Sequence, residues 1–176
     1  MNEIIFITGI SGSGKSTTAN KFASLGYEVI HLDEISKYYQ KGRPIKNDYI
    51  KYFIYKITGG INYHTTWERD NNLIINSFIK YITQIDGKFV VEGIHLLMPY
   101  IDREYLMNYD IYILNTPSIV STIRRVKRGI GNDISLKRKI INIIKYDLNP
   151  VWIIDDIKFY TFKRYMKKRN KKLVVL

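Results

Sequence analysis

Short apolar runs and amphipathic stretches alternate along the 176-residue chain. Apolar runs that are bounded by turn residues predict buried strands, and apolar positions three and four residues apart predict helices. Strands and helices that alternate in this way indicate an α/β fold with a parallel sheet covered by helices on both faces. The predicted strands are 3–8, 28–32, 88–92, 110–114 and 172–176.

The amphipathic stretches predict helices over 15–25, 68–83, 133–148 and 153–168, with another that begins near Pro117. Gly26 follows the first helix as a C-terminal cap. The helix over 68–83 has one apolar stripe, made of Ile74, Ile75, Phe78, Ile79 and Ile82. Between the second strand and this helix lies a segment rich in Tyr, Lys and Gly, in which 47–57 can form a helix that buries Ile50, Phe53, Ile54 and Ile57.

The composition is that of a single globular domain spanning 1–176, with 45% hydrophobic and 25% charged residues. The absence of cysteine excludes disulfides and thiolate chemistry, and it favours a reducing compartment, so we expect a cytoplasmic protein. No apolar run approaches the ~20 residues of a membrane span. No membrane partner is therefore expected.

The net charge of +12 is confined to the C-terminal third. Residues 1–114 carry 12 basic and 12 acidic side chains, whereas 115–150 and 151–176 each carry eight basic and two acidic ones. Such a basic region is either a solvated surface or a surface that faces polyanions, namely nucleotide phosphates, a nucleic acid, or both.

The sequence GISGSGKS at 9–16 matches the phosphate-loop pattern G-x-x-x-x-G-K-[ST], and it lies between a predicted strand and a predicted helix. Its backbone N–H groups can surround a β-phosphate at the positive end of the helix. Lys15 can bridge the β- and γ-phosphates of ATP, Ser16 can ligate Mg²⁺, and Thr17 can reach the α-phosphate. The predicted nucleotide-binding residues of the loop are Gly9, Gly12, Ser13, Gly14, Lys15, Ser16 and Thr17.

Two acidic residues lie at the ends of predicted strands. Asp33 follows the second strand, and Glu92 ends the third. The carboxyl ends of parallel strands line the ligand crevice, so Asp33 can accept the proton of an attacking hydroxyl, although it also suits a helix N-cap. Glu92 can hold a water on Mg²⁺ or bind the acceptor. His95 either contacts the acceptor or packs in the core.

A basic cluster lies in the sequence STIRRVKRG, which ends at Gly129. Arg124, Arg125 and Arg128 fall on adjacent faces of a helix. Guanidinium groups bind phosphate oxygens and stabilise charge during phosphoryl transfer, so the segment 121–135 is a predicted lid over the nucleotide, with a solvated basic face as the alternative.

These motifs together resemble the P-loop nucleoside and nucleotide kinases, and uridine kinases most closely, over roughly 4–131. The resemblance rests on GISGSGKST, the aspartate after the second strand, the strand ending in Glu-Gly, and DIYILNTPS followed by IRRVKRG. It implies a nucleoside monophosphate kinase-like sheet in the order 2-3-1-4-5, with Asp33 as the base and the arginines in a lid. Two positions depart from the family pattern, since Gly129 and Ser121 stand where that lid commonly has Asp and Arg.

The segment of about 37–67 occupies the place where such kinases bind their acceptor. Its aromatic side chains alternate with cations, a composition that can stack bases and hold phosphates. This favours a base-containing hydroxyl acceptor of nucleoside or nucleotide type. The predicted acceptor residues are Asp33, Tyr38, Arg43, Trp67, Glu92, His95 and Arg125.

Two alternatives remain open from the sequence. The basic C-terminal third fits a kinase that acts on a 5′ end or a hydroxymethylated base of nucleic acid, where a base in a duplex has to be flipped out. A P-loop NTPase that serves as a nucleic-acid-binding or regulatory module is the alternative from another class.

Overall fold

The computed structural model describes residues 2–59, 67–117, 120–121, 124, 151–169 and 173–176, with the backbone alone at 40–41, 67–72, 151–156 and 173. Short strands alternate with helices, as the apolar pattern predicts. A 3₁₀ turn (Ile94–Leu97) follows the third strand. The elements are β1 (Glu3–Gly9), α1 (Lys15–Ala23), β2 (Glu28–His31), α2 (Asp33–Lys41), α3 (Asp48–Thr58), α4 (Trp67–Ile82), β3 (Lys88–Glu92), α5 (Arg103–Leu106), β4 (Asp110–Leu114), α6 (Val151–Arg169) and β5 (Leu173–Val175).

The described strands form one five-stranded parallel sheet in the order β2-β3-β1-β4-β5. The central strand β1 pairs with β3 on one side and with β4 on the other. This is the sheet order predicted from the resemblance, and together with the loop between β1 and α1 it confirms the P-loop fold. Parallel strands place all their carboxyl ends at the same edge, where the phosphate loop, Asp33 and Glu92 lie.

Alternate residues of β1 enter the two cores on either side of the sheet. Ile4 and Phe6 belong to the larger core, beneath the helices that follow β2 and beneath α6. Ile5 and Ile7 belong to the smaller core, which α1 covers through Ala19. The strand is buried on both faces because a parallel sheet carries helices on each side.

Helix α3 confirms the alternative of a core helix within the aromatic segment. Asn47 accepts a hydrogen bond from the backbone N–H of Ile50 and thereby caps the N-terminus of α3. Ile50, Phe53 and Ile54 are buried, and the predicted apolar stripe of α4 is buried in full. Ile57 was expected in the buried set and is instead 47% exposed, because it lies in the last turn of the helix, on the solvent side.

The structure corrects two predicted boundaries. Helix α1 ends at Ala23 rather than at 25, and its C-cap is Ser24 rather than Gly26. Strand β2 ends at His31, and Asp33 begins the helix α2, for which the sequence offered only the alternative that Asp33 caps a helix. The predicted helix over 133–148 lies outside the described residues.

No helix within the described ranges is both long and apolar enough to cross a membrane.

Candidate active site

The phosphate loop connects β1 to α1. Gly12 and Gly14 have φ angles of +85° and +96°, which lie in the left-handed region that glycine tolerates. Gly14 is the N-cap of α1 and supplies no side-chain hydrogen bond, so the first N–H groups of the helix have no side-chain cap. Uncapped N–H groups and the positive end of the helix dipole make this an anion-binding geometry.

Lys15 lies across the loop. Its ammonium group donates to the carbonyl oxygens of Gly9 and Ile10, each at 3.0 Å. Both acceptors are backbone atoms of the loop itself, so the ammonium group is held against the loop. The next two residues, Ser16 and Thr17, are exposed at the start of α1.

Glu92 joins the phosphate loop to the neighbouring strands. It ends β3, where the register pairs it with Ile7 of β1 and His31 of β2. The residue is 4% exposed, and its Oε1 accepts from Ser16 Oγ at 2.9 Å and contacts His31 Nδ1 at 2.6 Å.

Neighbouring hydrogen bonds and charges keep the carboxylate of Glu92 ionised. Burial acts to raise the pKa of Glu92, but the hydrogen bonds from His31 and Ser16 and the charge of Lys15 outweigh it, so the pKa is lowered. The pKa of His31 is raised in turn, mainly by its hydrogen bond to Glu92. A buried carboxylate is therefore held ionised beside the loop.

Ser16 and Glu92 fit a magnesium site of the kind that accompanies a nucleotide. Mg²⁺ prefers oxygen ligands, and in such sites it takes one or two protein groups together with phosphate oxygens and waters. The 2.9 Å contact between the hydroxyl and the carboxylate places two such oxygens together. Among the described residues there is no group of three or more His, Cys, Asp or Glu that could hold a metal without a nucleotide.

Asp33 is the first residue of α2 and does not act as its N-cap, which is Leu32 with no side-chain cap bond. Its Oδ1 atom is buried and accepts no hydrogen bond from the described residues. His95 Nε2 lies 3.9 Å from Oδ1, and Lys37 Nζ lies 3.9 Å from Oδ2. Both distances exceed a hydrogen bond. Both nitrogens nevertheless lie within ion-pair range of the carboxylate.

His95 lies in the 3₁₀ turn that follows β3, and its Nδ1 atom is 3.0 Å from the Tyr100 hydroxyl. Burial lowers the pKa of His95; Asp33 opposes this and Lys15 adds to it. Burial also raises the pKa of Tyr100 to about 12, so the phenol keeps its proton. A neutral imidazole therefore lies close to both Lys15 and Asp33.

One arginine of the predicted lid is described. Arg124 is helical and exposed, and its Nη1 atom donates to the carbonyl oxygens of Gly12 at 3.5 Å and Ser13 at 3.4 Å. Thr116 also donates to the Ser13 carbonyl at 3.0 Å. The segment that follows β4 thus lies against the phosphate loop. Arg125, Arg128 and 129–135 are outside the described residues, and the lid stays a prediction.

Of the other predicted acceptor residues, the structure describes the side chains of Tyr38 and Arg43. Tyr38 is half-buried against the core and makes an edge-to-face contact with Tyr39, with ring centroids 5.2 Å apart. Arg43 is exposed just after α2. Trp67 begins α4, and its side chain is outside the description.

Sequence reasoning missed His31 and Tyr100. A signal for His31 was available, because it ends an apolar strand in the same way as Glu92, and the ends of adjacent parallel strands meet. No local pattern points to Tyr100, which lies five residues beyond His95 in an irregular segment.

A scan against protein-family models finds no match, and a search of curated proteins finds none. Solved structures do resemble the chain. Shikimate kinase from Acinetobacter baumannii in complex with shikimate is 15% identical, with a TM-score of 0.49, over 99% of this chain and 83% of that chain. Shikimate kinase from Bacteroides thetaiotaomicron is 15% identical, with a TM-score of 0.46, over 96% and 79%.

TT1252 from Thermus thermophilus is 18% identical, with a TM-score of 0.44, over 99% of this chain and 88% of that chain. Likeness at this level does not identify a reaction, which has to follow from the side chains of the site.

Proposed function

We propose that the chain is a P-loop kinase that transfers the γ-phosphate of ATP to a hydroxyl group of a base-containing small molecule. One observation carries the proposal: the phosphate loop, whose Ser16 donates to Glu92 at 2.9 Å, and the carboxylate of Asp33, 3.9 Å from His95, follow strands of one parallel sheet at the same edge. A donor phosphate on the loop and the candidate base Asp33 would therefore meet at the carboxyl ends of β1, β2 and β3.

The nucleotide would be held by the backbone N–H groups of the loop and the start of α1. Lys15 would exchange the carbonyl oxygens of Gly9 and Ile10 for β- and γ-phosphate oxygens. The Ser16 hydroxyl would ligate Mg²⁺, and Glu92 would hold one of its waters. The metal, when bound, neutralises charge that develops on the phosphates.

Asp33 is proposed as the general base. The acceptor O–H proton passes to its carboxylate as the hydroxyl oxygen attacks the γ-phosphorus, and the bond between that phosphorus and the β–γ bridging oxygen breaks, which releases ADP. The neighbouring His95 is held neutral by burial, so its ring orients the acceptor or the carboxylate without adding a full charge. Arg124 and Arg128 would stabilise charge on the transferred group.

The base-containing acceptor is supported by the aromatic and basic composition of 37–67, although the structure assigns Tyr39 and Phe53 to the core. Half-buried Tyr38 and exposed Arg43 remain candidates to stack a planar group and hold a phosphate. Trp67 and Arg125 are candidates of the same kind.

The kinase proposal is tested by following labelled γ-phosphate with nucleosides, mononucleotides, oligonucleotides and hydroxymethylated DNA as acceptors. We expect label on a small base-containing acceptor and a requirement for Mg²⁺. Label on DNA or RNA alone would establish the nucleic-acid alternative. Free phosphate with every acceptor would contradict the kinase and support the NTPase.

The role of Asp33 is tested by Asp33→Asn, which keeps the shape of the side chain but removes the base. Turnover is expected to fall by about 10²–10⁴-fold, with ATP affinity nearly unchanged. The matched control is Asp86→Asn, because Asp86 is exposed in the turn before β3, at the opposite end of the strands from the site. Equal turnover in the two variants would remove Asp33 from the mechanism.

A further inference from the structure

His31 makes a short side-chain contact near the phosphate loop, and the proposed mechanism gives this residue no role. It ends β2, and the register pairs it directly with Glu92 at the end of β3. Directly paired residues of parallel strands project to the same face of the sheet. The topology therefore brings an imidazole beside a carboxylate, although 61 residues separate them in the sequence.

The geometry of Glu92 is set by two donors on one oxygen. His31 Nδ1 lies 2.6 Å from Oε1, and Ser16 Oγ donates to the same atom at 2.9 Å. Within the described residues, neither donor engages Oε2. Because Glu92 is almost fully buried, a hydrogen bond removed from it cannot be replaced freely by bulk water.

The two donors belong to different parts of the site. Ser16 is the second residue of α1 and would turn its hydroxyl oxygen toward a nucleotide-bound cation, whereas His31 belongs to β2 and lies two residues before Asp33. When Ser16 binds a metal, its proton is still free to be donated to Glu92. His31 is then the partner that fixes the carboxylate from the side away from the nucleotide.

We infer that His31 is a positioning residue, which holds the Glu92 carboxylate in the orientation that receives the water ligands of nucleotide-bound Mg²⁺. This inference rests on the proposed nucleotide site, but not on the identity of the acceptor. Hydrogen-bonding groups outside the direct ligands of a metal contribute about 10- to 100-fold to metal affinity. His31 should therefore affect the binding of Mg·ATP far more than the binding of metal-free ATP.

Two complementary variants separate a hydrogen-bonding role from a packing role. His31→Asn keeps a donor near the position of Nδ1 and loses part of the ring. His31→Phe keeps the ring and loses the donor. His31 is a third exposed and lies on a terminal strand of the described sheet, so both side chains have room. Thermal unfolding of each variant without ligand checks that the fold is intact.

The readout is the dissociation constant of ATP, measured by calorimetry in excess Mg²⁺ and again in EDTA, with no acceptor present. We expect His31→Phe to weaken binding by about 10- to 100-fold in Mg²⁺. In EDTA its affinity should be close to that of the unmodified protein. His31→Asn should retain the strengthening by Mg²⁺ to within a few-fold.

The opposite ranking, with His31→Phe normal and His31→Asn impaired, would show that the ring only packs and would overturn the inference. Equal losses with and without Mg²⁺ would overturn it as a general structural defect, and two normal variants would overturn it outright. A protein that binds Mg·ATP as expected but transfers no phosphate would instead contradict only the proposed kinase activity.

Discussion

At the scale of single residues, the pKa values of the two histidines beside the phosphate loop are shifted in opposite directions. Its hydrogen bond to Glu92 raises the pKa of His31, whereas burial lowers the pKa of His95. His31 meets a carboxylate at 2.6 Å, which favours its protonated form, whereas burial is the largest effect on His95. His95 also faces Asp33 at 3.9 Å and the charge of Lys15.

A lowered pKa predicts a specific dependence of stability on pH. Below the ordinary value of 6.5, unfolded His95 takes up a proton that the folded protein resists, so the stabilisation is present above that pH and is lost as pH falls. Asn in place of His95 can still accept a hydrogen bond from Tyr100 but does not titrate. The excess free energy of unfolding of the unmodified protein over His95→Asn should therefore shrink below about pH 6.5.

Urea unfolding of both proteins at several pH values from about 5 to 8 measures this difference. The contribution of His31 is present in both proteins and cancels. A difference that grows as pH falls would show that Asp33, rather than burial, controls His95.

At the scale of elements, the phosphate loop lies directly against the segment that follows β4. A Cβ atom added to Gly12 would lie 2.6 Å from the carbonyl oxygen of Ser121, and Arg124 and Thr116 donate to carbonyls of the same loop. The conformation of the loop is thus constrained by contacts with the segment after β4 as well as by its own glycines. Gly26 has a similar φ, +84°, but a Cβ atom added there would meet nothing within 4 Å.

This pair of glycines gives a matched comparison. Both alanine variants place a Cβ in a left-handed conformation, which costs about 1–2 kcal/mol. Only Gly12→Ala also forces the loop away from Ser121. We expect Gly12→Ala to lower the free energy of unfolding more than Gly26→Ala and to weaken ATP binding, which Gly26→Ala should leave unchanged. Urea unfolding and calorimetry check both effects, and equal losses would contradict the close approach.

At the scale of the whole molecule, α6 places part of the excess positive charge on the surface of the described residues. Lys167, Lys168 and Arg169 are exposed in its last turn. Arg169 also stacks on Tyr165, with 4.7 Å between the guanidinium carbon and the ring centroid, and lies 3.5 Å from Glu104 of α5. Arg169 therefore helps to anchor the helix, while the two lysines leave charge at the surface.

The charge of these lysines distinguishes a small acceptor from a nucleic acid. Because we propose a small acceptor, replacing Lys167 and Lys168 with Gln should leave the KM for ATP and for the acceptor unchanged at every salt concentration. The control replaces Lys21 and Lys88, which are exposed on α1 and at the start of β3. A nucleic-acid acceptor would instead bind with a steep salt dependence. In the first variant alone, its log–log slope would become shallower by about 0.7–0.9 for each phosphate that is no longer neutralised.

The sequence by itself determined the phosphate loop, the strands and the apolar faces of α3 and α4. These features depend on residue types at fixed local spacings, because the backbone geometry of a loop, strand or helix sets that spacing. It also indicated that Asp33 and Glu92 lie at one edge of the sheet, because parallel strands end together. The start of α2 at Asp33 and the exposure of Ile57 were missed, since helix ends depend weakly on periodicity.

Only the tertiary structure decided which side chains touch. His31 and Ser16 meet on one oxygen of Glu92 from 61 and 76 residues away, and Arg124 reaches the loop carbonyl of Gly12 from 112 residues away. These contacts follow from strand order and register, which no local pattern encodes. Burial then set the charges, because the pKa of a carboxylate or an imidazole responds to neighbours and to the removal of solvent rather than to its place in the sequence.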